Sequence, residues 1–153
     1  RQRQMCIRDS SAIERERIEM TPFINDCLLG YGEIPPFDNV VAIGGTISTM
    51  AAIKNQLEKY DPNVVNGSVL TLSDIENMYD KISKMTMEER RHVKGLPEKR
   101  ADIIAPGILM YSLILKYIGA DKLIVSEGDG AEGYLIKLGV LPHGFRAIYQ
   151  KII

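Results

Sequence analysis

The chain has no tryptophan, two cysteines, two histidines and no excess of charge of either sign, with 19 basic residues against 20 acidic ones over 153 positions. Each shortage closes a class of function. Cys6 and Cys27 cannot build a disulfide framework, and no C-x-x-C pair suggests zinc. His92 and His143 stand too far apart in the chain to suggest a histidine-based metal cluster. A net charge of −1 argues against a dedicated binder of nucleic acid or anionic membrane, whose affinity rests on surplus Lys and Arg. No apolar run approaches the ~18–20 residues of a membrane helix. The longest, Ile103 to Ile118, is broken by Pro106, Gly107, Ser112 and Lys116. What is present is 45% apolar residues in a length that suits one domain with a real core. The seven methionines and seven tyrosines need only core packing to explain them. A reducing, cytoplasmic setting is the expectation.

Residues Arg1 to Ser10, RQRQMCIRDS, form no secretory signal, having neither an apolar stretch nor a small-residue cleavage site. The string resembles translated sequencing-adapter read-through and is set aside as a non-native tail, a basic disordered N-terminus being the bland alternative. Without it the net charge becomes −3, and Cys27 is the remaining cysteine. On this reading the domain is residues 11–153, the tail end of a longer protein.

From Ser11 onward helices alternate with short strands, which predicts an α/β fold, helix-rich, with a parallel or mixed sheet covered by helices. Ile13 to Leu29 suits a helix that restarts at Thr21-Pro22, with Thr21 as N-cap. Asn39 to Ile43 is a continuously apolar run expected as a buried strand. A helix carries Ile47, Met50, Ile53 and Leu57 on to Tyr60, and Asn66-Gly67 turns the chain into an extended Ser68 to Leu72. Ser73 with Glu76, and Thr86 with Glu89, match the capping-box pattern. Pro97 opens a further helix, Ile103 to Ile118 is a central buried helix ended by Gly119, Leu123 to Val125 a second buried strand, and Ala131 to Leu138 a closing helix.

Three stretches can carry chemistry. Gly44-Gly45-Thr46 joins a strand to a helix: the glycines let backbone approach a ligand, and the helix start offers unpaired N–H groups to phosphate. The alternative is a plain turn with a threonine cap. No Walker pattern is present. Gly128 to Gly133 reads G-x-G-x-x-G after a strand, but no second strand with an acidic residue follows. The carboxylates of Glu127, Asp129 and Glu132 would also repel a pyrophosphate, so a packing turn is the better reading. The belt Glu88 to Asp102 mixes Arg90, Arg91, Lys94, Lys99 and Arg100 with acids, and is expected as a solvated surface. Arg100 stands apart, just before the most apolar part of the chain. It either holds phosphate bidentately or pairs with Asp102 or a helix end. His92 is expected at the surface or as a cap.

Val41-Ala42-Ile43-Gly44-Gly45-Thr46, Met87-Glu88-Glu89-Arg90, Gly95-Leu96-Pro97-Glu98-Lys99-Arg100-Ala101-Asp102 with Gly107, and Val125-Ser126-Glu127-Gly128 to Glu132-Gly133 together resemble the exopolyphosphatase / guanosine pentaphosphate phosphohydrolase (Ppx/GppA) family, in order and spacing from Asp38 to Leu138. The most specific segment is G-L-x-x-x-R-A-D followed by a buried helix and V-S-E-G. The resemblance implies the second lobe of an actin/Hsp70/sugar-kinase-like (ribonuclease H-like) fold, N-terminally truncated. It also implies a magnesium-dependent hydrolase of phosphoanhydride bonds in polyphosphate or guanosine pentaphosphate. By the same resemblance Gly44, Gly45 and Thr46 face the ligand cleft and Arg100 contacts the anion, while Glu127 and Gly128 form a structural turn near it.

The family's catalytic glutamate and its D-x-G-G-G-S-x-E loop have no counterpart here, so no catalytic residue and no metal ligand is carried over. Magnesium ligands would lie in an N-terminal lobe. The partners implied are a polyphosphate or guanosine phosphate ligand and that lobe, with no nucleic acid and no membrane; a homodimer is left open. The alternative function is a sensor of guanosine tetraphosphate, or a non-catalytic relative of the same fold. This chain alone is expected to release no phosphate.

Overall fold

The computed structural model describes residues 10–128 and 130–140, and for residues 10–16 the backbone only. Arg1 to Asp9 lie outside the described residues, while Ser10, grouped above with the tail, is the first residue of a helix. That helix, α1 (Ser10–Leu29), runs unbroken through Pro22, against the expected restart. Pro22 offers no N–H to the turn before it. Thr21 is not an N-cap: its Oγ1 donates to the Arg17 carbonyl at 2.8 Å, inside the helix. The helix packs against two later helices, Leu72–Lys84 and Ile104–Ile118.

Three short strands form one sheet: β1 (Val41–Ile43), β2 (Val69–Thr71) and β3 (Lys122–Ser126), in the order β1-β3-β2. β1 runs parallel to β3, with Ile43 opposite Ser126, and β2 runs antiparallel to β3. The sheet is therefore mixed. One face is packed and the other is open, which corrects the expectation that Asn39 to Ile43 is buried throughout. Ala42 points inward, whereas Val41 and Ile43 are 59% and 52% exposed. Successive strand residues face opposite sides, so an apolar run alone does not fix how many faces are covered.

The packed face meets α2 (Gly45–Lys54), α4 (Leu72–Lys84) and α6 (Ile104–Ile118). Ile47, Met50 and Ala51 of α2, Ile75, Met78 and Ile82 of α4, and Ile104, Ile108 and Leu115 of α6 close over Leu70, Leu123 and Val125. Each fully buried aliphatic side chain contributes roughly 1.5–3 kcal/mol. Helix α2 ends at Lys54 rather than at Tyr60, because Gln56 leaves the helical region with φ 51°. A short α3 (Pro62–Val65) follows, capped by Asp61.

Helix α4 is capped two residues earlier than Ser73 and Glu76 predict. Thr71 accepts from the Asp74 N–H, and Asp74 accepts from the Thr71 N–H at 2.9 Å. Lys54 selects this register, its ammonium lying 2.7 Å from Asp74. The Thr86–Glu89 box does form, at the start of α5 (Met87–Arg91). His92 ends that helix, with Nδ1 2.8 Å from the Glu88 carbonyl. Pro97 precedes a single 3-10 turn, Glu98–Arg100, instead of a longer helix. Gly119 closes α6 in the left-handed region, and α7 (Gly130–Lys137) is the last described element. Asp129 lies outside the described residues. No described helix is long and apolar enough to cross a membrane.

Candidate functional site

Parallel strands β1 and β3 end side by side, so the turns that follow them open on the same edge of the sheet, where open α/β sheets bind ligands. A cavity of about 420 Å³ lies there, lined among others by Gly44, Gly45, Ser48, Thr49, Arg100 and Glu127. Gly44 takes φ 105°, a conformation that side chains resist, and this swings the chain from β1 into α2. No side chain caps α2, so the N–H groups of its first turn have no side-chain acceptor.

Arg100 crosses to this turn from the 3-10 segment. Its Nη1 donates to the Gly45 carbonyl and, at 2.8 Å, to Thr49 Oγ1. Thr49 in turn donates to the Gly45 carbonyl at 2.7 Å. A Cβ on Gly45 would overlap the guanidinium, so a side chain here would displace Arg100. Arg100 makes no hydrogen bond to Asp102 among the described residues. Both bonds use Nη1, which leaves the rest of the fork available to an anion.

The opposite wall is Glu127. It accepts from the Ser48 hydroxyl and from the Tyr60 hydroxyl, and its own N–H donates to Asn66 Oδ1 at 3.1 Å. Gly128 donates to Ser126 Oγ at 3.1 Å. Burial, followed by the Glu127 hydrogen bond, pushes the Tyr60 phenol up to about 12. The cavity is thus electrically divided: a helix start with Arg100 and Lys99 on one side, a carboxylate held by two hydroxyls on the other.

Of the residues singled out by sequence, Gly44, Gly45, Arg100, Glu127 and Gly128 all meet at this cavity. Thr46 turns elsewhere: it does not cap α2, and its methyl lies against Gly107 of α6, 2.6 Å from where a Cβ would stand. Ser48, Thr49, Tyr60, Lys99 and Ser126 also line the cavity. Ser48 and Thr49 had a signal, two hydroxyls one turn past the glycines in an otherwise apolar helix; Tyr60 had none.

Among the described residues no group of three His, Cys, Asp or Glu side chains converges as a metal site. Glu127 has both oxygens engaged by hydroxyls. The residues of this wall do not fit a magnesium centre.

A sequence model described as the Ppx/GppA phosphatase family matches residues 12–139. The bifunctional 3-dehydroquinate synthase/phosphatase of Fusobacterium nucleatum is 29% identical over 126 residues, 81% of this chain and 18% of that protein. Exopolyphosphatase 2 of Mycobacterium tuberculosis is 26% identical over 102 residues, 64% of this chain and 32% of that protein. Among solved structures, the Aquifex aeolicus Ppx/GppA family member superposes with TM-score 0.77 at 30% identity, over 90% of this chain and 44% of that one. The chain therefore spans less than half the length of these relatives. The fold is that of Ppx/GppA structures, an actin/sugar-kinase-like α/β architecture rich in helix. With the match running from the first turn of α1 past the end of α7, this chain belongs to the Ppx/GppA phosphatase family.

Proposed function

We propose that this chain supplies one wall of the ligand cleft of a phosphoanhydride hydrolase acting on polyphosphate or guanosine pentaphosphate. The observation that carries the reading is the convergence of the uncapped start of α2 with Arg100 on one cavity. Backbone N–H groups at a helix start and a guanidinium fork both recognise phosphate oxygens, and together they neutralise charge as a phosphoryl group departs to water. Thr49 and the Gly45 carbonyl hold that fork in place. Lys99 adds a second positive charge at the rim. The base that activates water, the opposite wall and the magnesium ligands are expected from an N-terminal lobe, in a cytoplasmic protein. This chain by itself releases no phosphate.

Calorimetric titration of the 153-residue chain with sodium tripolyphosphate tests the reading. Wild type binds, and Arg100→Ala loses about 1.5–3 kcal/mol of affinity, the range of a charge-assisted hydrogen bond, at an unchanged melting temperature. Equal binding by both proteins removes the cleft assignment. A chain that takes guanosine tetraphosphate but not tripolyphosphate favours a sensor over a hydrolase.

A further inference from the structure

Arg90 belongs to the belt expected at the surface, yet it is 1% exposed. A guanidinium buried to that degree is costly unless its donors are met. Here Nε donates to the Ile82 carbonyl at 3.0 Å, Nη2 to Ser83 at 3.4 Å and Nη1 to Ala101 at 3.3 Å. Ile82 and Ser83 lie in the last turn of α4, where carbonyls lack their i+4 donors and the dipole favours a cation; the Ile82 carbonyl also accepts from the Met85 N–H at 3.2 Å. Those two bonds make Arg90 the clasp on α4.

The third bond goes somewhere different. Ala101 follows Arg100 directly and closes the 3-10 turn that carries it. Arg90 therefore ties α4 to the segment that presents Arg100 to the cavity. The other end of that segment is fixed too: Gly95 lies so close to the Ala52 and Ile53 backbone that a Cβ would overlap it, and Leu96 is buried. Those two anchors hold the backbone that carries Arg100 before any ligand arrives, and the Gly45 carbonyl and Thr49 then receive its Nη1.

We propose that Arg90 is a positioning residue for anion binding, which through the Ala101 carbonyl sets where Arg100 stands against Gly45 and Thr49. It is buried and acts only through Arg100. The ligand part of this inference rests on the cleft reading above; the placement part does not. Lysine cannot replace Arg90, because one ammonium has no planar fork to span three carbonyls.

The test uses the full chain with Arg90→Lys and Arg90→Gln, each alone and combined with Arg100→Ala. One readout is tripolyphosphate affinity, the other the amide NMR signals of Gly45 and Thr49 without ligand. Arg90→Lys should bind about tenfold more weakly, the low end for a charge-assisted hydrogen bond. It should cause no further loss once Arg100 is alanine, since residues acting through one contact are not additive. Its Gly45 and Thr49 signals should shift in the direction that Arg100→Ala shifts them. The same loss in both backgrounds, unmoved Gly45 and Thr49 signals, or failure of both Arg90 variants to fold would each overturn the proposal. If wild type and Arg100→Ala bind tripolyphosphate alike, the cleft reading is what fails, and the unliganded amide signals still decide whether Arg90 places Arg100.

Discussion

Two glycine turns leave neighbouring parallel strands at the same edge of the sheet, and they do opposite things. After β1, Gly44-Gly45 opens an uncapped helix and takes a guanidinium onto its first carbonyl. After β3, Glu127-Gly128 presents a carboxylate and closes hydrogen bonds to Ser48, Tyr60 and Asn66. By letter pattern the second turn is the closer match to a phosphate loop. By charge the first is the better suited to an anion. Glycine spacing gives backbone freedom, but the sign of the neighbouring side chains decides what the freed backbone receives.

The comparison breaks most sharply at Gly45. Gly45→Val puts carbon where the Arg100 guanidinium lies. Arg100, the flexible partner, must leave, and the first turn of α2 tolerates the branched residue. Tripolyphosphate affinity should fall by about 2–3 kcal/mol, the upper part of the range for a charged hydrogen bond, with melting temperature falling much less. Calorimetry and thermal melts on the same sample check both halves. A variant that merely unfolds returns Gly45 to the framework.

A smaller effect is expected across the cavity. Glu127→Gln removes the carboxylate that repels an anion and should raise tripolyphosphate affinity by about 1 kcal/mol, the scale of one charge at short range near water. It also removes a cause of the high Tyr60 pKa, so the phenol should ionise below the wild-type value of about 12 in an ultraviolet titration. Because the folded phenol is raised above its ordinary 10.0, its contribution to stability is complete below pH 10 and is lost as pH climbs through about 12. The wild-type chain should therefore lose more stability than Glu127→Gln over that interval.

The smallest effect on binding is expected at Asp74, outside the cavity. The Lys54 hydrogen bond, and then the Thr71 backbone N–H, hold its carboxyl down at about 2. A depressed carboxylate stabilises the fold above its ordinary pKa of 3.8 and stops doing so as pH falls through about 2. Asp74→Asn should cost on the order of 0.5–1 kcal/mol at neutral pH, as a lost cap. It should flatten the acid dependence of melting between pH 4 and 2, and leave tripolyphosphate binding untouched. A changed affinity would mean that the α4 start communicates with the cleft.

The strands, the long buried α6 and the Thr86–Glu89 cap were legible because each rests on local chemistry: β-branched runs between turns, a dense apolar period, a hydroxyl three residues before an acid. Where local pattern misleads, a residue far along the chain decides the outcome. Thr71 to Glu76 holds two overlapping capping patterns, and Lys54 chooses between them. Arg90 looks like any surface arginine until the carbonyls of Ile82, Ser83 and Ala101 surround it. The run at Val41 to Ile43 reads as buried although one face of the sheet is open. At the candidate site, Gly44, Gly45 and Arg100 could be singled out, since glycine pairs and an isolated arginine are local signals. Tyr60 could not, because its place on Glu127 follows from the turn out of α2.

The central claim is that the turn after β1, and not the turn after β3, receives the anion. An amide NMR titration of the full chain with sodium tripolyphosphate tests it most directly. The account predicts saturable shifts of the Gly44, Gly45, Thr46 and Ile47 amides and of the Arg100 guanidinium, with Gly130 to Gly133 left in place. Shifts centred on Gly128 and Gly130 to Gly133, or none at Gly44 and Gly45 at saturating ligand, would contradict it.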